Sequence, residues 1–424
     1  MPPRVRRSDL AGPTRATGIH YVGRHGIAGK VLRIAPGQVR GRGAPDHPAG
    51  PGVRRAGYDA GKFAIAAWRD GATTPVWIYL SNVFAESEGA GAAARRDRIA
   101  QLVRIIMTPH DDEAWHEVRH RLRPVLRAET FGQGGPMGMV PPLSRAALPH
   151  LRELVVVDRP ESMAYVTPAR LDDWEVTADE VFTAARENLQ RIAERSLSRE
   201  WPDAGALIRM VDSGDGYFTS LLLAPGWLAG VGHAMDAQVV AFVPDINTVL
   251  LCPVGEGGMP GLFSLVESEF NEATRGVSPV GYVAGERGRV VPYAPPPGHP
   301  DHVPAQRAQV VLAHTEYGAQ TRWLSTQYAE HGIDVFVASL IAAARPDEPA
   351  ITVTTWTDGI TTLLPEADFV SFVRDGESWG RVPWRDVARL VELTPEPLLA
   401  PTRYQVGDWP APEVMAQLRA RAVD

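Results

Sequence analysis

LVVVDRPESMAYVTPARLDDWEVTADEVFTAARENLQRIA, residues 154–193, sets out strand, turn, strand and helix in quick succession. Leu154–Asp158 is a continuous apolar run and Met163–Thr167 a second one, with Arg159-Pro160-Glu161 between them, so two strands joined by a turn are predicted. Thr177 stands three residues before Glu180, the spacing of a capping box in which each side chain bonds the other residue's backbone N–H. Beyond it Val181, Phe182, Ala185, Leu189 and Ile192 recur at helical spacing and supply a core-facing stripe. Strands paired by turns and followed by single helices, rather than strict alternation, predict an α+β protein of short, mainly antiparallel strand pairs in more than one unit.

The pattern continues outward from this stretch. Ile208–Val211 and Tyr217–Leu223 flank Asp212-Ser213-Gly214-Asp215-Gly216, a predicted hairpin loop; its two aspartates lack the closing glutamate of a calcium loop. Val239–Val243 and Thr248–Leu251 form a further pair across Pro244–Asn247, and Cys252, between Leu251 and Pro253, reads as core filler. Gly255–Gly261 then leads into a helix carrying Leu262, Phe263, Leu265, Val266 and Phe270. Strand, glycine loop and helix can cradle phosphate, but the glycine spacing is not a dinucleotide fingerprint and Glu256 would repel an anion. Gly23–Lys30 misses the P-loop spacing by one residue and continues with Val31 where Ser or Thr is needed.

Toward the N-terminus, Phe63–Trp68 and Pro75–Leu80 flank Arg69–Thr74, whose Asp70-Gly71 predicts a hairpin turn. Ala92–Met107 is a predicted helix, and a second follows Asp111-Asp112 with Trp115, Val118 and Leu122 as its stripe before Pro124. That second helix carries His116-Glu117-Val118-Arg119-His120. Histidines four apart on a helix can share one zinc ion, with the intervening glutamate polarising the bound water as general base. A zinc-dependent hydrolase with His116 and His120 as ligands and Glu117 as base is therefore the alternative functional reading. Against it, the pair falls away from the apolar stripe, Arg119 and Arg121 put two cations beside the site, and Glu129, Glu153 and Glu161 offer no recognisable third-ligand motif.

Beyond the centre, Pro292–Pro304 reads as a stiff linker holding His299 and His302, two histidines without a third ligand. Strands are expected at Ile351–Trp356, Ile360–Leu364 and Phe369–Val373, and helices at Trp384–Leu393 and Val414–Ala420. Trp68–Thr74 and Trp356–Thr362 share the pattern W-x-D-G-x-T-T, which suits either a duplicated hairpin or two independent Asp-Gly turns.

The chain of 424 residues divides in this reading into a basic Gly/Pro-rich tail (1–60) too poor in apolar residues to order itself, an N-terminal α+β unit (61–150), a central unit (151–293), a Pro-rich linker (294–310) and a smaller C-terminal α+β unit (311–424). The tail carries 11 Arg or Lys against three acids, so the rest of the chain holds a net charge of −15. Scattered arginine could neutralise phosphates, but no aromatic platform accompanies it and the acidic body argues against nucleic acid. A single cysteine excludes internal disulfides and a cysteine zinc cage and fits a reducing compartment. No run reaches the ~18 apolar residues of a membrane span, so a cytoplasmic protein is expected. Arginine supplies every base except Lys30 and Lys62, a composition typical of GC-rich bacterial genomes.

Residues 154–193, with GYFTSLLL, AQVVAFVPDINTVLLCPVG and the following helix, together resemble the YtpQ-like family of bacterial proteins, a domain of unknown function. The resemblance covers about residues 150–293 and implies the central boundaries and a bacterial cytosolic setting, with no activity, cofactor or site residue attached. With no assembled nucleophile, base and orienting group, the leading expectation is a non-catalytic binding or regulatory protein acting through contacts with a protein partner, for which Trp379, Trp384 and Trp409 would suit an interface.

Overall fold

The computed structural model describes the strands at 53–59, 64–69 and 76–79, positions 91, 93, 94 and 97, and residues 113–423 other than 134–140, 160–161, 199–200, 202–206, 212–216, 256 and 344–348. The fold is α+β, with strands of mostly two to nine residues in several sheets and helices between them. All strand pairs described are antiparallel except two in the C-terminal part, Phe336–Val337 with Thr362–Leu363 and Val353–Thr357 with Phe369–Val373.

The expected hairpin is present as β2 (Ala64–Arg69) against β3 (Val76–Tyr79), and β1 (Val53–Asp59) adds a third strand. Residues 53–59 therefore leave the predicted tail for a sheet. The helix expected at Ala92–Met107 lies almost wholly outside the described residues. The one expected after Asp112 shrinks to a single turn, α1 (Trp115–Val118), continued as a 3-10 turn over Arg119–Arg121. Leu122 then opens β4 (Leu122–Ala128). Pro124 explains the switch: it has no N–H for a helix and drives the residue before it extended. Its missing donor is tolerated because β4 is an edge strand, paired among the described residues with Leu151–Val157 alone.

β5 (Ser144–Leu148) and β6 (Leu151–Arg159) form a hairpin, with Leu148 opposite Leu151 across the Pro149-His150 turn. β7 (Ser162–Tyr165) pairs with β6 as expected. After α2 (Pro168–Trp174), α3 (Ala178–Leu197) begins at the predicted capping box: the Glu180 carboxylate accepts the Thr177 N–H at 2.8 Å and the Thr177 hydroxyl accepts the Glu180 N–H at 3.3 Å. Val181, Phe182, Ala185 and Leu189 are buried, and α3 packs on β4. The hairpin expected around Asp212–Gly216 does not form, because Phe218–Leu223 is a 3-10 helix and β8 (Ile208–Val211) pairs instead with β10. The aspartate loop itself lies outside the described residues.

The largest core surrounds a five-stranded sheet in the order β12-β11-β9-β10-β8, where β9 is Val239–Asp245, β10 Thr248–Pro253, β11 Gly276–Ala284 and β12 Val290–Pro292. The β9–β10 pairing is the predicted one, and Asp245 holds its turn by accepting the N–H groups of Asn247 and Thr248. α4 (Trp227–Ala234), α5 (Pro260–Glu272) and the first half of α6 (His302–His331) cover this sheet. Leu126 of β4 and Leu151 of β6 enter the same buried cluster, so the two sheets share one core.

α6 is the main element that sequence reading missed. It runs for 30 residues and absorbs the second half of the predicted linker. Its buried positions, Ala308, Val311, Leu312, Tyr317, Gln320 and Leu324, mix small and polar groups and do not make a clean stripe, because it packs on different neighbours along its length. One end lies against β11 and α5, the other against β13 (Phe336–Val337) and β14 (Ile341–Ala343).

The C-terminal part contains two four-stranded sheets, β13-β16-β20-β19 and β14-β15-β17-β18. β15 (Ile351–Thr357) and β16 (Thr362–Pro365) belong to different sheets, so Trp356–Thr362 is a corner and not a hairpin like Trp68–Thr74. Asp358 fixes that corner by accepting the Trp409 N–H at 2.8 Å and an Arg374 N–H; the first of these bonds contributes most to holding its carboxyl below the usual range. The remaining elements are β17 (Phe369–Arg374), β18 (Glu377–Pro383), α7 (Trp384–Leu390), β19 (Thr394–Pro395), β20 (Arg403–Val406) and α8 (Pro412–Arg419). Trp379 stacks on Phe372 at 5.0 Å and Trp409 meets both edge-on, so these two tryptophans belong to the C-terminal core and not to an open interface.

Candidate functional site

The residues of the zinc reading end up apart from the geometry it needs. His116 lies on α1, which ends at Val118, and His120 lies in the 3-10 turn beyond, so they do not share a continuous α-helical face. Both are exposed. Glu117 is used as a cap, its carboxylate accepting the Ala114 N–H at 2.9 Å, and Arg121 pairs with Glu113 at 2.6 Å. Of the suggested third ligands, Glu153 is fully buried between Arg145 and Arg186, each with a 2.7 Å contact, Glu129 bonds His150, and Glu161 lies outside the described residues. Among the described residues no group of three or more His, Cys, Asp or Glu is placed to hold a metal ion. We expect His116→Ala to leave the zinc content of protein dialysed against micromolar zinc unchanged, measured by atomic emission; a stoichiometric loss would restore the zinc reading.

The other motifs resolve similarly. Gly258, at φ +67°, brings the start of α5 against Asp301, which is fully buried and accepts the Met259 N–H. The helix start that might have taken a phosphate already holds the chain's own carboxylate. Gly23–Lys30 lies outside the described residues. His302 bonds the Pro295 carbonyl at 2.8 Å and His299 accepts the Asp301 N–H at 3.1 Å, so both histidines brace the loop entering α6. Burial pushes the Cys252 thiol up, as expected of filler.

What the fold does assemble is a cleft of about 1000 Å³ beside the middle of α6. Four parts of the chain meet there: the β5–β6 turn with Glu129, strands β11 and β12, α6, and the C-terminal segments around Thr352, Glu366–Phe369 and Pro383–Arg385. The β5–β6 turn is only Pro149-His150, and His150 has φ +57°, a conformation that glycine or asparagine ordinarily takes. The strain is offset by a reciprocal clasp: the His150 carbonyl accepts the Glu129 N–H at 3.0 Å, and His150 Nδ1 meets Glu129 Oε2 at 2.9 Å. The imidazole then packs edge-on against Tyr317 at 5.8 Å. Tyr317 ties both sides of the cleft together, donating to the Thr402 carbonyl at 2.8 Å and accepting the Glu366 N–H at 3.2 Å. Burial raises its phenol well above the usual range, so it stays neutral and serves as a hydrogen-bonding wall.

Next to Tyr317, Glu316 is buried and accepts both the N–H and the hydroxyl of Thr130 at 2.8 Å. Burial, opposed by those two bonds, raises its carboxyl pKa above 4.5. A carboxyl raised in the folded state binds more protons there than in the unfolded chain, so it costs stability as pH rises through the folded pKa. Glu316→Gln keeps an acceptor for Thr130 without the charge. Its melting temperature should exceed that of the unaltered protein at pH 7.5, and the gap should close as pH falls toward 4.5; a gap that widens at low pH would contradict the assignment.

Sequence reading had singled out Glu129 only as a zinc ligand, and missed His150, Tyr317, Glu366 and Asp368. One local signal was available: a proline followed by histidine between two strand runs, where a small turn residue is usual. Trp384, offered as an interface residue, does line the cleft. These features define an α+β protein built around an inter-sheet cleft. No protein-family model, curated protein or solved structure matches the chain. Among the described residues no helix is long and apolar enough to cross a membrane.

Proposed function

We propose that this is a non-catalytic binding or regulatory protein that takes a segment of a protein partner into the cleft beside α6. The observation that carries the reading is the cleft's construction: about 1000 Å³, with proline and aromatic walls (Pro149, Pro349, Phe369, Trp384) and a few fixed polar groups. Flat, rigid side chains give contact area at low entropic cost, a feature of recognition surfaces. Among the described residues the His150–Glu129 pair has no serine or cysteine joined to it by a hydrogen bond, which favours positioning over nucleophilic chemistry. The YtpQ-like resemblance of residues 150–293 and the lone Cys252 support a bacterial cytosolic setting.

The test is a photo-crosslinking amino acid at Gln309, an exposed α6 residue on the cleft, compared with the same group at Ser325, exposed farther along α6 and off the cleft. Crosslinking in native cells should give a discrete adduct from position 309 that is absent from 325. Equal labelling at both positions, or none at 309, counts against the cleft as the working surface.

A further inference from the structure

The charges lining the cleft do not cancel. Glu129 has its carboxylate hydrogen-bonded to His150 at 2.9 Å. Asp368 accepts the Thr352 N–H at 2.7 Å and the Thr352 hydroxyl at 2.8 Å, which spreads its charge over two donors. Arg385 lies at the rim with its side chain 87% exposed, where water screens it, and its nearest carboxylate contact is Asp386 at 3.9 Å. Glu366 differs from all three. Its backbone is fixed by the bond to Tyr317, yet its carboxylate makes no ion pair or hydrogen bond among the described residues. Glu366 is exposed to the open cleft, with apolar groups on either side: Ala367 beside it is packed with Tyr317 and Leu340, and Phe369 and Trp384 line the same wall.

We infer that Glu366 makes the cleft selective for a peptide segment that carries a cationic side chain, arginine or lysine, on an otherwise apolar stretch. This rests on the cleft reading above. Burial is the main cause of the raised phenols of Tyr317 and Tyr404, and the negative charge of Glu366 adds to it, which places both rings within its field. An apolar segment lying on the proline and aromatic walls would exclude water from around that carboxylate. In that drier setting a guanidinium or ammonium on the segment gains more than it would at an open surface, and a neutral or acidic one leaves the carboxylate desolvated and unpaired. The cleft therefore discriminates chiefly by what it would leave unmatched.

Fluorescence anisotropy on the full chain tests this with a pool of labelled nonapeptides that alternate leucine and tryptophan around one central arginine, each paired with a twin bearing citrulline, the neutral isostere. The arginine peptides should bind about five- to tenfold more tightly than their twins. Glu366→Gln should erase that ratio, chiefly by tightening citrulline binding now that no carboxylate is left desolvated, with the melting temperature unchanged, and Glu366→Lys should turn preference toward glutamate-bearing peptides. Equal binding of arginine and citrulline peptides overturns the inference while sparing the cleft reading, provided that Gln309→Trp, which fills the cleft, abolishes both. If Gln309→Trp leaves binding intact, or neither peptide set binds, the cleft reading falls and the inference with it. Tight binding of spermine without binding of any peptide also overturns it, by showing a small polycation site.

Discussion

Arg403→Met is expected to lower folding stability by about 3–5 kcal/mol, read as the urea midpoint at constant slope. Arg403 is fully buried on β20, and its guanidinium donates to Gln320 Oε1 at 2.6 Å, the Ala338 carbonyl at 2.7 Å, the Leu363 carbonyl at 3.0 Å, the Thr321 hydroxyl at 2.6 Å and the Tyr317 carbonyl at 3.3 Å. Every hydrogen-bond acceptor is neutral, the Tyr317 ring lies 5.4 Å from the guanidinium carbon, and burial pulls the Arg403 pKa down to about 10, still protonated at neutral pH. Methionine would fill much of the volume but leave the Ala338 carbonyl and Gln320 Oε1 without this donor. Lysine should not rescue, because one ammonium cannot reach acceptors spread around a planar fork. A loss below about 1 kcal/mol for Arg403→Met would show that the site relaxes or admits water, contrary to this account.

Asp301→Ala should cost about 2–3 kcal/mol, since it removes a buried carboxylate that caps one helix while standing at the start of another. Its carboxylate accepts the Met259 N–H before α5 and the Tyr293 hydroxyl at 3.3 Å, and Tyr293 is pushed up to about 12 by burial and by that charge. Asn should recover part of the loss, because its amide oxygen can still accept from Met259. Hydrogen exchange should show faster opening confined at first to the amides of Met259–Phe263; uniform acceleration across the domain would mean that Asp301 serves general packing and not the cap.

How much of this could be read from the chain depends on how local the cause is. The Thr177–Glu180 capping box, the β9–β10 pairing and the β6–β7 pairing rest on neighbours within a few residues, and each formed where expected. The α1 helix failed at a local cause given too little weight: Pro124 favoured a strand, and β6 supplied a partner that the sequence around His116 does not mention. α6 and the cleft depended on distant chain. Tyr317, Gln320 and Glu316 face different partners along one helix, so no single apolar stripe announces it. Nothing near Glu366 in sequence says that Tyr317 will hold its N–H, or that His150 will stand across from it.

That distance has a consequence for how the protein is made. The cleft closes through pairs such as Gln133 with the Ala400 carbonyl, 267 positions apart, and Thr130 with Glu316, 186 apart. Contacts of such separation give nothing back until the intervening chain has been synthesised and ordered. A chain still on the ribosome can complete the central sheet and its helices, but the cleft lacks Pro401 and Thr402, and the carbonyl that Tyr317 binds, until the segment leading into β20 has emerged. The cleft is then a property of the finished polypeptide, so a product cut short before Thr402 folds much of its core but lacks the complete surface through which binding is proposed.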